Sequence, residues 1–247
     1  MNRFFVSPES INGTRVDFPD EIADQIRLVL RLKEEDQVCV LDNSGKAYRV
    51  SLRYASGKNP FGEIIGEMPV EAEPLIPVIS FIPLTKREKF EWMLQKCTEV
   101  GASCIVPTIS ERCLIREVKD LDSKMERWQK IVREAAEQSG RGILPSVEMP
   151  LDFSQAVKAP APNTLKLLFW EEEKDLPIYR VYRSLGEKPN SITIMTGPGG
   201  GFSSEEAALA KQNGWHIVTL GKRILRAETA ALAALLLTIY ESERDEI

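Results

Sequence analysis

From Val78 onward the chain alternates short apolar segments with amphipathic ones, and no other feature limits its fold as strongly. Val78–Ile82, Ser103–Pro107, Leu165–Trp170, Ile192–Thr196 and His216–Leu220 read as short buried strands. Between the first of them, Phe90, Met93, Leu94, Cys97 and Val100 recur at helical spacing over Lys86–Val100. A longer helix ending near Ser139 turns Met125, Trp128, Val132, Ala135, Ala136 and Ser139 inward. Thr85 with Glu88, Ser123 with Glu126 and Ser203 with Glu206 read as capping boxes that fix three helix starts. The last helix runs from about Arg226 to Glu241 and is apolar nearly all round over Ala227–Tyr240. Such alternation predicts an α/β domain whose mainly parallel sheet is covered on both faces.

The first 72 residues have another pattern: strands at Arg3–Val6, Gln37–Asp42, Ala47–Arg53 and Gly62–Gly66, with a turn at Asn43–Gly45. One helix from about Asp20 to Arg31 interrupts them, with Asp20 as N-cap and Ile22, Ile26, Val29 and Leu30 on one stripe. Pro69, Pro74 and Pro77 then fall in a short acidic stretch that breaks helix and central strand alike, which places a domain boundary there, between 1–72 and 73–247.

Composition narrows the function classes. With 43% hydrophobic and 28% charged residues among 247, disorder, collagen and coiled coil are excluded. The net charge of -5 argues against general binding to nucleic acid or to an anionic membrane surface. Cys39, Cys97, Cys104 and Cys113 form no CxxC pair and His216 is the sole histidine, so neither a zinc site nor a disulfide framework has its ligands. No metal is expected. Free thiols, no apolar core of signal-peptide length near Met1, and an apolar run at Ala227–Tyr240 shorter than the roughly 20 residues of a membrane span point to a cytoplasmic protein.

The strongest local motif is Ile194–Glu206 (IMTGPGGGFSSEE), a strand, a glycine-rich loop and a capped helix start. Its glycines permit positive φ and close approach of backbone to a ligand. It lacks the lysine of a Walker loop and the third glycine of the dinucleotide fingerprint. Thr219–Ala231 (TLGKRILRAETAA) repeats the arrangement of strand end, glycine turn and helix. Two such strand ends offer adjacent crevices, where backbone amides and carbonyls can read an adenine edge. Tight structural turns and a solvated helix start are the bland readings of these glycines and of Arg226 and Glu228. On these residues alone, a nucleotide- or phosphate-binding enzyme and a non-catalytic RNA-binding module both stay open.

Taken in order, Lys96–Gly101 (KCTEVG), Glu134–Arg141 (EAAEQSGR), Gly197–Phe202 (GPGGGF) and Leu220–Ala230 (LGKRILRAETA) resemble the ribosomal RNA small subunit methyltransferase E family, uridine-N3 methyltransferases of the SPOUT class. The resemblance runs from Arg3–Val6 to the last helix. One position departs: the family pattern reads Gly-Pro-Glu-Gly-Gly, and Gly199 stands here at the glutamate.

The resemblance implies a PUA-like RNA-binding barrel over 1–72 and a SPOUT domain with a deep C-terminal trefoil knot over 73–247. It implies S-adenosylmethionine, bent, against the two glycine loops, with Gly197, Gly201, Leu220, Gly221, Ile224, Leu225, Arg226 and Thr229 as the cofactor candidates. It also implies a homodimer with sites near the subunit interface, and as substrate a uridine of 16S rRNA in the assembled small subunit. Arg226 is the candidate stabiliser of the uracil imide anion, and Glu228 a candidate base or orienter. RNA has to be held locally: Lys86–Arg141 carries 12 Lys and Arg against 10 Asp and Glu. Arg112, Arg116, Arg133 and Arg141 from that stretch, with Arg3 and Arg15 near the N-terminus, are the candidate RNA contacts.

Overall fold

The computed structural model describes residues 1–55 and 59–244. The chain divides into two compact units, 1–73 with 136–144 and 74–135 with 145–247.

The first unit is built on a six-stranded sheet: β1 (Arg3–Phe5), β2 (Ile11–Asn12), β3 (Arg15–Asp17), β4 (Gln37–Leu41), β5 (Ala47–Arg53) and β6 (Phe61–Met68), in the order β1-β4-β5-β6-β3-β2. All pairs are antiparallel except β1 with β4. Alternation along β1 sends Phe4 and Phe5 to opposite sides. Phe4 joins Phe18, Val38, Val40, Val50 and Leu52, while Phe5 joins Cys39, Leu41, Ala47 and Ala136. The helix expected from Asp20 to Arg31 is shorter and irregular. α1 covers Asp20–Asp24, and a π-turn stretch follows over Gln25–Val29. Its N-cap is Pro19 rather than Asp20, which is the first helical residue. Arg31, at φ 53, closes it.

Segment 136–144 is tied to this unit by polar bonds. Arg3 Nη1 donates to the Gly140 carbonyl at 2.6 Å, and the Leu144 N–H donates to Asn43 Oδ1 at 2.7 Å. Arg141, 2% exposed, lays its guanidinium against Glu73, with Nη2 2.6 Å from Oε2. Glu73 also accepts from the N–H groups of Gly142 and Ile143.

The second unit carries β7 (Val78–Pro83), α2 (Arg87–Val100), β8 (Cys104–Ile109), α3 (Leu121–Ser139), β9 (Ser146–Val147), β10 (Leu151–Asp152), α4 (Phe153–Ala156), β11 (Leu165–Phe169), α5 (Ile178–Ser184), β12 (Ile192–Thr196), α6 (Ser204–Gln212), β13 (His216–Val218) and α7 (Ala227–Glu243). The last turn of α3 belongs to the first unit. The strands lie in the order β10-β8-β7-β12-β11-β13, with β9 beside β8, and every pair is parallel. One face packs Val78, Ile105, Leu167, Ile192 and Ile194 against Phe90, Met93 and Leu94 of α2, Trp128 of α3, Val181 of α5 and Ala231 and Leu235 of α7. The other packs Phe81, Val106, Leu168 and Met195 against Phe153 of α4, Phe202, Ala210 and Trp215. The sheet is therefore parallel and covered on both faces, and β12, buried along its whole length, sits in its middle.

Of the three expected capping boxes one forms. Ser203 Oγ accepts from the Glu206 N–H at 3.3 Å and Glu206 Oε2 accepts from the Ser203 N–H at 3.0 Å. α2 instead starts after Lys86 with no side-chain cap, and the Thr85 hydroxyl is buried with no hydrogen-bond partner among the described residues. α3 starts at Leu121, which puts Ser123 inside it. All four cysteines are free thiols.

Candidate functional site

β12, β11 and β13 are neighbours and run the same way, so the loops at their carboxyl ends open on one crevice. It is lined by Phe169 at the end of β11 and Trp170 and Glu171 after it, by Gly197, Pro198, Gly199 and Gly201 after β12, and by Thr219, Leu220, Gly221, Arg223, Ile224, Leu225, Ala227 and Ala230 after β13. The crevice opens to solvent, and its empty volume, open solvent included, is about 570 Å³.

Each loop is pinned by its own backbone. The Gly201 N–H donates to the Pro198 carbonyl at 2.9 Å, and Gly201 takes φ 70, a value that favours glycine. Trp170 Nε1 donates to the Phe202 carbonyl at 3.1 Å, joining the β11 loop to the β12 loop. Glu206, 8% exposed, has its second carboxylate oxygen filled by the Glu111 N–H at 2.8 Å. After β13, the Thr219 N–H donates to the Leu176 carbonyl and the Gly221 N–H to Thr219 Oγ1, with Gly221 at φ 100. Such closed loops present a preorganised wall of peptide groups to a ligand.

The expected cofactor residues divide. Gly197, Gly201, Leu220, Gly221, Ile224 and Leu225 line the crevice; Arg226 and Thr229 do not. Arg226 is the exposed N-cap of α7, and Thr229 is exposed one turn into that helix, where Ala227 and Ala230 face the crevice instead. Glu228 lies beside Lys89 of α2, Oε1 to Nζ 3.1 Å. Its own N–H at the start of α7, and then Lys89, hold its carboxyl below the usual range against the opposing effect of burial.

The expected RNA contacts are scattered. Arg112 is exposed and donates from Nη1 to the Gly200 carbonyl at 2.9 Å, on the outside of the β12 loop. Arg116 donates to the Glu111 carbonyl, and Arg133 is exposed on α3. In the first unit, Arg15 pairs with Asp17 at 2.7 Å and stacks over Phe61, and Arg3 is held by Gly140. Arg141 is buried with Glu73, so its guanidinium is already engaged inside the protein.

Sequence reasoning missed Glu171, Trp170 and Arg223. Glu171 begins a run of three glutamates, which reads as a solvated turn, and Trp170 reads as the end of a buried strand. Only the packing of β11 between β12 and β13 brings them to the crevice.

Fold and crevice together define a class: an α/β domain of parallel strands with a crevice at their carboxyl ends, where such sheets hold ligands, lined by glycine loops and by no lysine among the described residues. Residues 71–239 match the RNA methyltransferase domain family. The ribosomal RNA small subunit methyltransferase E of Synechocystis sp. is 40% identical over 235 residues, spanning 94% of this chain and 75% of that protein. The protein of that name from Mesomycoplasma hyopneumoniae is 32% identical over 95% of this chain and 97% of its own length. The crystal structure of a Neisseria gonorrhoeae ribosomal RNA small subunit methyltransferase E bound to S-adenosyl methionine superposes with a TM-score of 0.86, at 32% identity over 96% of each chain. The chain belongs to the ribosomal RNA small subunit methyltransferase E family.

Proposed function

We propose that this protein transfers the methyl group of S-adenosylmethionine to N3 of a uridine in 16S rRNA of the small ribosomal subunit. The observation that carries the proposal is the crevice of glycine loops at the ends of β11, β12 and β13, in a chain of this family. The Neisseria relative holds S-adenosyl methionine. The residues here suit such a ligand: peptide groups around Gly197–Gly201 and Leu220–Gly221 for an adenine edge, Phe169 and Leu225 for its apolar faces, and one carboxylate, Glu171. A phosphate-binding enzyme is the weaker reading, because no lysine lines the crevice and a carboxylate stands beside the β12 loop, with Arg223 as the one cation of the lining.

When bound, S-adenosylmethionine supplies an activated methyl group whose leaving sulfur becomes neutral. The protein's task is then to place uracil N3 in line and to favour its deprotonated form. Arg226 suits the second task. Its guanidinium has no hydrogen bond or ion pair with any described residue, and it sits at the positive end of the 17-residue α7, so it stabilises charge on a flanking uracil carbonyl. Glu228, ionised and paired with Lys89, acts as an orienter rather than as a base.

N3 lies on the pairing edge of uracil, so the target is unpaired or flipped out when methylated. Arg112, which follows β8 and bonds to the β12 loop at Gly200, is the RNA contact next to the chemistry. The first unit serves as a PUA-like RNA-binding barrel, and the chain from β13 into α7 is read as a trefoil knot. The enzyme works in the cytoplasm as a homodimer; Leu236 and Tyr240 of α7, 55% and 54% exposed, support an apolar contact between copies.

The test is transfer of labelled methyl to small subunits from cells lacking the enzyme, read as 3-methyluridine by mass spectrometry. Label on another base, or none, refutes the proposal. In a single-turnover assay Arg226→Ala should abolish transfer while the protein stays folded; near-normal turnover would remove Arg226 from the mechanism.

A further inference from the structure

Among the residues lining the crevice, two carry charge: Glu171 and Arg223. Glu171 follows β11, the strand between β12 and β13, and so stands between the two glycine loops. Its neighbours in the acidic run do other things. Glu172 is exposed, and Glu173 Oε1 accepts from the N–H groups of Asp175 and Leu176 to close the turn. Glu171 alone turns inward. It is partly buried, and its carboxylate makes no hydrogen bond or ion pair with any described residue. It lies over Gly201 so closely that a side chain at that position would overlap the carboxylate.

An ionised carboxylate only accepts hydrogen bonds, and its two oxygens match two donors on adjacent atoms. A sulfonium offers no such donor, and attraction to its charge would favour the ground state that methyl transfer discharges. A ribose offers two neighbouring hydroxyls, and acidic side chains at strand ends take that role in other nucleotide-binding sheets. We infer that Glu171 holds the 2′- and 3′-hydroxyls of the adenosyl ligand, and that position 201 is glycine because this carboxylate occupies the space beside it. The inference rests on the proposed function, since it takes the ligand to be an adenosyl compound.

The experiment is calorimetric binding of S-adenosylhomocysteine, its 3′-deoxy analogue and 5′-methylthioadenosine, which keeps the ribose and lacks the amino-acid part. Glu171→Ala should weaken S-adenosylhomocysteine and 5′-methylthioadenosine by the same factor, about 10- to 100-fold, the range of a lost hydrogen bond to a charged group. The 3′-deoxy analogue should bind the wild type weakly and Glu171→Ala no worse. A merely structural role would weaken all three alike. Glu171→Gln, which keeps the shape and one acceptor, should fall between wild type and Glu171→Ala and covers the case in which Glu171→Ala folds poorly. Loss confined to S-adenosylhomocysteine would mean that the carboxylate serves the amino group and would overturn the inference, as would unchanged binding of all three. Wild-type protein that binds none of them would instead overturn the proposed function.

Discussion

Gly201→Ala separates the two demands made on one position. An alanine at φ 70 is in the left-handed region, which costs about 1–2 kcal/mol. The added methyl group also overlaps the Glu171 carboxylate, but that is the end of a flexible side chain and can swing away at little further cost to stability. The expected stability loss is therefore about 1–2 kcal/mol, a fall in Tm of roughly 2–8 °C for a chain of this size. Binding should suffer more than stability. With Glu171 displaced, affinity for S-adenosylhomocysteine should fall by about the same 10- to 100-fold as in Glu171→Ala. Gly199→Ala is the control, because its φ is not positive and a methyl group there meets nothing within 4 Å. Its stability should stay within about 0.5 kcal/mol of wild type. Thermal melts with and without ligand, beside calorimetry, read both effects. If the carboxylate is the cause, the double variant Glu171→Ala with Gly201→Ala binds about as well as Glu171→Ala alone. Wild-type affinity in Gly201→Ala would refute the link between the two residues.

Glu73→Ala removes the carboxylate that meets the buried Arg141 guanidinium and accepts from the Gly142 and Ile143 N–H groups, and should cost about 3–5 kcal/mol in denaturant unfolding; a loss under about 1 kcal/mol would show that water or another group replaces Glu73. Ser203→Ala removes the α6 cap and should cost about 1 kcal/mol by the same assay. The Arg127 and then Arg87 guanidinium groups hold the Glu91 carboxyl below the usual range, outweighing burial. Because its folded value lies below its unfolded one, its contribution is present above the ordinary glutamate range and is lost as pH falls through the folded value. Acid unfolding of Glu91→Gln, followed by circular dichroism, should show less loss of stability across that window than wild type, and parallel curves would remove Glu91 from the acid response.

The second unit was largely legible because its strands are buried on both faces and its helices are long. Alternation alone located β7, β8, β11, β12 and β13 to within a residue or two, and β12 at both ends. β2, β3 and β10 carry no apolar run to mark them, and α4 and α5, helices of four and seven residues, are too short for a helical period to register. Capping boxes were a weak guide: the same spacing occurs at Thr85, Ser123 and Ser203, and packing decides that only the third is a cap. In the site, the glycine loops announced themselves, whereas Glu171 lay hidden in an acidic run. Arg141 misled in the opposite sense. Its burial depends on Glu73, which is distant in sequence, and no local pattern reveals such a pairing.

Segment 136–144 completes the first unit only after residues 74–135 have been made. On a translating ribosome the strands of residues 1–73 therefore emerge without the backbone that answers Asn43, the Gly140 carbonyl that receives Arg3, or the guanidinium that neutralises Glu73. At about 5–20 residues per second that interval lasts on the order of 3–12 seconds. The first unit thus cannot finish before part of the second exists, and a fragment cut at residue 73 would keep the sheet's sequence while lacking a piece of its fold.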